Sequence, residues 1–171
     1  MLVRTEVLRQ AGGIEAIRGA LIDDCALARL LKARGPIWLG LTDCVRSIRR
    51  YPHFGDIRHM VVRSAYAQLR YSPLLLVLTV AGMTLVFLAP PLLAVFAAGP
   101  ERWLGAASWA AMAGAYVPIL RFYRVPVLWS IALPLIASIY LAFTLDSAYQ
   151  HARGRGGLWK GRVQTISSRG K

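Results

Sequence analysis

Two small groups of side chains have the types and spacing to do chemistry. The adjacent carboxylates Asp23 and Asp24 stand at the head of a stretch with helical apolar periodicity. A carboxylate there can cap the orphan N–H groups of a helix start. Beside a substrate hydroxyl it can instead take the proton as a general base. The second group is Gln68, Arg70 and Tyr71, directly before a long apolar run that opens at Ser72-Pro73. A guanidinium at a bilayer surface suits a diphosphate, and an Arg–aromatic pair suits equally well a plain interfacial anchor. The residues alone leave both choices open.

The elements that must position these groups are legible in outline. Residues 5–10 read as a helix, with Thr5 as cap, Glu6 in the first turn and Ala11-Gly12-Gly13 as its stop. A second helix is expected over 23–33, with Leu27, Ala28, Leu30 and Leu31 as its apolar stripe and Gly35-Pro36 ending it. The run Ile37-Trp38-Leu39-Gly40-Leu41 has the length of a buried strand, and Met1-Leu2-Val3 reads as the end of another. The front end is therefore expected to be an α/β fragment, too small to close a sheet alone. Over 56–71, Ile57, Val61, Ala65 and Leu69 recur every fourth residue, which predicts an amphipathic helix lying at the membrane surface.

Between residues 73 and 145 only Glu101, Arg102, Arg121 and Arg124 carry charge. An ionised side chain at the bilayer centre costs at least about 2.5–3.5 kcal/mol, so spanning segments exclude charge in this way. Three apolar blocks result, 73–98, 103–120 and 125–145. The first and third are long enough to span and the second is marginal. Pro90-Pro91 is expected to kink or break the first. The organisation expected is a front end over 1–50, an interfacial helix region over 51–72, a membrane region over 73–145 and a basic, flexible tail over 146–171. Three crossings would put that tail opposite the front end, yet it holds Arg153, Arg155, Lys160, Arg162, Arg169 and Lys171 with no acid after Asp146. Positive-inside logic wants both on the cytoplasmic side. One block is thus expected to be re-entrant or to lie half across, and the Pro90-Pro91 block is the suspect.

The 171-residue chain is 56% apolar with a net charge of +13. Beside membrane segments such charge points to anionic lipid, and no nucleic-acid motif accompanies it. Cys25 and Cys44 form no CxxC pair and make no ligand spacing with His53, His59 or His151, so no metal site is expected in this chain. Arg4, Thr5 and Glu6 follow Met1-Leu2-Val3 at once, so there is no signal-peptide core.

Longer strings carry a resemblance. Residues 11–32 resemble the acceptor-side segment of family 2 inverting glycosyltransferases, in which a glycine pair precedes a loop and a Thr-Glu-Asp motif opens a helix of the form xxLxxRL. Gly12-Gly13, Ile22-Asp23-Asp24, Leu27 and Arg29-Leu30 stand at those places, with Ile22 departing from Thr. Gln68-Leu69-Arg70-Tyr71 is similar to the Gln-x-x-Arg-Trp motif of the family's processive and lipid-linked members, one residue short and with Tyr for Trp. Ile37-Trp38-Leu39-Gly40-Leu41-Thr42, Gln68-Leu69-Arg70-Tyr71-Ser72-Pro73, the stretch 142–151 and Trp159-Lys160-Gly161-Arg162 resemble the C-terminal part of the bacterial hopene-associated glycosyltransferases. The resemblance spans nearly the whole chain.

What the resemblance implies is a GT-A-like acceptor side in which Asp24 is the general base with Asp23 beside it. Gln68, Arg70 and Tyr71 would bind diphosphate or acceptor. The activity implied is transfer of a sugar from a nucleotide-sugar to a lipid-type acceptor in the bacterial inner membrane, with a multi-pass chain and a cytoplasmic front end. The family's divalent metal, Mg or Mn, would bind in the complete domain at a DxD motif, and no DxD occurs here. The expectation is a fragment, a mis-assigned start or a gene remnant, which meets a nucleotide-sugar only with a separate N-terminal half. The competing expectation is a non-catalytic membrane scaffold that binds anionic lipid.

Overall fold

The computed structural model describes residues 1–45, 48, 51–154, 158–159 and 162–163. The front end forms two short helices, α1 (Thr5–Gln10) and α2 (Asp23–Lys32), with a 3₁₀ turn at Ile14–Ile17 between them. Each helix begins on acid and ends on base, as the peptide dipole favours: Glu6 and Arg9 in α1, Asp23-Asp24 and Arg29/Lys32 in α2. Among the described front-end residues only Ala11 and Leu31 are buried.

The α/β expectation is wrong. No strand occurs at 1–3 or 37–41, and the front end is helix and loop throughout its described residues. A strand needs a neighbour to take its N–H and C=O groups and a layer to cover its face. Two short helices supply neither, and Trp38 and Leu39 are left 88% and 97% exposed. The one strand pairing among the described residues is far away in the tail, where β1 (Leu158–Trp159) and β2 (Arg162–Val163) run antiparallel with Leu158 opposite Val163.

The amphipathic segment forms α3 (Phe54–Gln68), whose start is fixed by the Asp56 carboxylate accepting the His53 N–H at 3.2 Å. After a tight turn, α4 (Pro73–Met83) begins with Pro73 in its first turn, and the Ser72 hydroxyl accepts the Leu75 N–H at 3.3 Å. Pro90 and Pro91 do not break this helix. They sit in the first turn of α5 (Ala89–Phe96), and a π turn at Thr84–Leu88 joins α4 to it. Two prolines remove two N–H donors from the ladder. The π turn re-spaces the bonds, with the Ala89 N–H reaching the Thr84 carbonyl.

α6 (Pro100–Phe122) folds back on α5. Gly105 makes the close approach possible: a Cβ there would lie 2.7 Å from the Pro90 carbonyl, the Ala94 nitrogen and the Leu93 Cβ. Small residues serve this purpose where membrane helices touch. A 3₁₀ turn at Val127–Ser130 packs on α6, and α7 (Leu133–Ala152) then packs on the π turn, α4 and, most extensively, α3. The helix continues through Ala152, so residues 146–152 are helical rather than tail. The flexibility expected of the rest of the tail falls largely outside the described residues.

Two helices, 73–96 and 100–122, are long and apolar enough to cross a membrane. Their apolar side chains face outward, Leu74, Val77, Leu78, Leu85 and Leu104 among them. A soluble core helix would bury such residues, so this pattern fits association with a membrane.

Candidate functional site

Asp23 and Asp24 are exposed on the first turn of α2. The Asp23 Oδ1 accepts the Asp24 N–H at 3.0 Å, and the Asp24 Oδ1 accepts the Cys25 N–H at 2.8 Å. One oxygen of each carboxylate thus serves the helix end. Among the described residues no cation pairs with either acid, and no hydrogen bond joins them to Gln68, Arg70 or Tyr71. The two predicted groups are not brought together. Nor do the described residues include three His, Cys, Asp or Glu side chains grouped to hold a metal ion. The divalent metal implied by the resemblance finds no fitting donor set among them.

The second group occupies a more structured place. Gln68 is the last residue of α3, and Arg70 and Tyr71 follow with φ of 53° and 56°. Two consecutive non-glycine residues in the left-handed region are costly, on the order of 1–2 kcal/mol each. The surroundings hold them there. The Arg70 N–H reaches the Ala67 carbonyl and the Tyr71 N–H the Tyr66 carbonyl, the paired bonds that close a helix C-terminus. The Tyr66 hydroxyl then donates to the Tyr71 carbonyl at 2.9 Å. Arg70 is exposed at the negative end of the helix dipole, where a cation is favoured.

Tyr71 turns inward. Its ring stacks on His151 with centroids 4.4 Å apart, and Tyr66 meets both rings edge-on at 5.6 and 5.4 Å. Burial raises the Tyr71 phenol above its ordinary pKa. Beneath this triad the α3–α7 seam is polar and specific. Arg58 pairs with Asp146, whose other oxygen accepts from the Gln150 amide at 3.3 Å. The buried Ser147 hydroxyl accepts the Tyr66 N–H at 3.0 Å and donates to the Val62 carbonyl, bridging one rung of the α3 ladder. Phe54 and Phe143 close the seam at 5.6 Å.

Sequence reasoning missed His151, Asp146, Ser147 and Arg58. A signal existed: 146 and 150, like 147 and 151, lie four apart, so polar residues share a face of an otherwise apolar helix. It missed Arg124 as well. This residue ends α6 with φ 56°, in the same paired-bond closure as Arg70. Beside it, Thr42, Asp43, Val45, Phe122 and Tyr123 complete a cavity of about 360 Å³. The chain matches no family model, no curated protein and no solved structure. The likeness to family 2 glycosyltransferases therefore rests on its sequence motifs alone.

Proposed function

We propose that this chain is the acceptor-side and membrane part of a glycosyltransferase of the family 2 type. It moves a sugar from a nucleotide-sugar to a lipid-type acceptor at the inner face of a bacterial membrane. A hopanoid lipid is the acceptor class that the likeness implies. In this reading the Asp24 carboxylate takes the proton of the acceptor hydroxyl. The hydroxyl oxygen bonds to the anomeric carbon with inversion, and the bond to the nucleoside diphosphate breaks with its electron pair on the departing phosphate. Arg70 holds that diphosphate.

The observation that carries the reading is the Arg70–Tyr71 turn. Strained backbone of this kind gathers at functional sites, and here it holds a guanidinium where a long apolar helix begins. The reading requires two things that the described residues do not themselves supply: a nucleotide-sugar-binding part, and the approach of α2 to the end of α3.

One observation favours a second reading, a scaffold that binds anionic lipid. Both acids are already engaged in capping. The substitution Asp24→Asn separates the two, because the Asn side-chain oxygen can still accept the Cys25 N–H that Asp24 accepts but is no base. In the native chromosomal context, with glycolipid product measured in isolated membranes, Asp24→Asn is expected to cut transfer by roughly 10²–10⁴-fold at unchanged protein level. Unchanged transfer assigns the acids to capping alone. Arg70→Gly removes the charge and also relieves about 1 kcal/mol or more of left-handed strain. The expected signature is a protein that melts later and transfers less.

A further inference from the structure

We infer that residues 125–145 do not cross the bilayer: they descend beside α6, turn inside the apolar layer and return through α7 to the face at which the first span begins.

Three depth markers agree. The first lies at the surface. Tyr71 immediately precedes Ser72-Pro73, where the first span starts, and its ring stacks on His151 near the end of α7. The Arg58–Asp146 pair and the Ser147 bridge fix the same end of α7 to α3. The second marker is at depth. The Trp109 Nε1–H donates to the Ile131 carbonyl at 3.2 Å. Trp109 lies about 20 Å along the helix from Phe122, at a rise of about 1.5 Å per residue. α6 follows the first span by a short turn and so ends at the starting face, which places the Trp109 backbone about 20 Å below that face, and Ile131 within an indole's reach of that depth, in a hydrocarbon layer about 30 Å thick. The third marker is the π turn at Thr84–Leu88, about 16–22 Å into the first span by the same rise, and α7 packs against it. From Leu133 to Asp146 the helix climbs about 20 Å. Descent and return match.

Backbone that leaves the helix at such depth must find partners for its polar groups, and this segment supplies several of them itself. The Trp129, Ile131 and Ala132 N–H groups bond the carbonyls of Pro126, Leu128 and Trp129 at 3.1–3.2 Å. The buried Ser130 hydroxyl donates to the Val127 carbonyl at 2.7 Å, and Trp109 takes the Ile131 carbonyl.

The charge distribution then makes sense. With two crossings and one half-crossing, every one of the 21 lysines and arginines except Arg102 lies on one face. Three crossings would put the tail cations on the other. The positive-inside rule makes the shared face cytoplasmic, where anionic lipid attracts juxtamembrane cations by about 1 kcal/mol each. None of this depends on the catalytic reading.

The test uses the whole chain with Cys25 and Cys44 changed to serine and one new cysteine at a time: Arg102→Cys, Ile131→Cys or Arg153→Cys. A membrane-impermeant maleimide is applied to sealed right-side-out and inside-out vesicles. Arg102→Cys is expected to react only in the right-side-out set and Arg153→Cys only in the inside-out set. Ile131→Cys is expected to react in neither until detergent is added. Reaction of Arg153→Cys and Arg102→Cys from the same face overturns the inference. The unsubstituted chain gives an independent readout through C-terminal fusions. Fluorescence of a green fluorescent protein fusion, with an inactive alkaline phosphatase fusion, supports the return; the reverse pair of results overturns it.

Discussion

The seam between α3 and α7 and the first 45 residues are built in opposite ways. The seam joins residues some 80–90 positions apart through an ion pair, a buried hydroxyl bridge and a three-ring cluster. The front end has helices whose hydrogen bonds are local, and its largest apolar side chains are uncovered. Exposure therefore means two different things in one molecule. Leu74 is 67% exposed because lipid covers it, in the reading of α4 as a span; Leu39 is 97% exposed because nothing among the described residues covers it. The membrane half is a finished piece of packing, and the front end is not.

The strongest way to break that contrast is at Gly105. A Cβ there meets backbone atoms at 2.7 Å, and backbone cannot rotate aside. Gly105→Val must push α5 from α6, and overpacking of this kind costs typically about 1–3 kcal/mol. The expected outcome is a clear drop in the thermal midpoint of the detergent-solubilised protein, with Gly105→Ala falling between it and the parent. A wild-type midpoint for Gly105→Val would show that the close approach is not a real constraint.

Ser147 sharpens the contrast on the other interface. Ser147→Val fills the site with a branched carbon chain and leaves the Tyr66 N–H and Val62 carbonyl without their hydroxyl partner, at about 1–3 kcal/mol for a buried unsatisfied group. Ser147→Ala is milder, because those two groups stand four residues apart in α3 and can close their own rung. The prediction is an ordering, parent above Ala above Val, read by thermal unfolding. A parental midpoint for Ser147→Ala would mean that the hydroxyl bridge contributes nothing.

Much of the helical content is legible in the sequence, because its causes are local. Asp23-Asp24, Gly35-Pro36 and the fourfold spacing of Ile57, Val61, Ala65 and Leu69 mark helix starts, stops and faces by themselves. The strand expected at 37–41 fails for a physical reason: an apolar run records a need for cover, and a strand exists only where a neighbour answers it. Pro90-Pro91 looks like a break in the sequence and so draws suspicion as the re-entrant point. At the first turn of a new helix, behind a π turn, the two prolines are tolerated. The candidate site divides the same way. Arg70 and Tyr71 stand out by their place before the apolar run, whereas the stacking of His151 on Tyr71 joins residues that no spacing rule connects.

The smallest effect expected is also the most direct test of the unfinished front end. Trp38→Ala removes the largest apolar side chain in the loop. In a packed core that substitution costs about 3–5 kcal/mol. On a surface it stays within about 0.5 kcal/mol. Trp38 is 88% exposed, so the thermal midpoint of the helical bundle is expected not to move. Limited proteolysis gives the companion reading. Cleavage should begin in the loop after α2, whose described residues make few backbone bonds, before any cut within α3–α7. The loop does approach the bundle at Thr42, Asp43 and Val45 beside Phe122 and Arg124, which sets the limit of the expected cutting. If Trp38→Ala instead lowered the midpoint by several degrees, the indole would be covered in solution. The front end would then be packed on the bundle, and the difference between the two regions would lie in their chemistry rather than in their completeness.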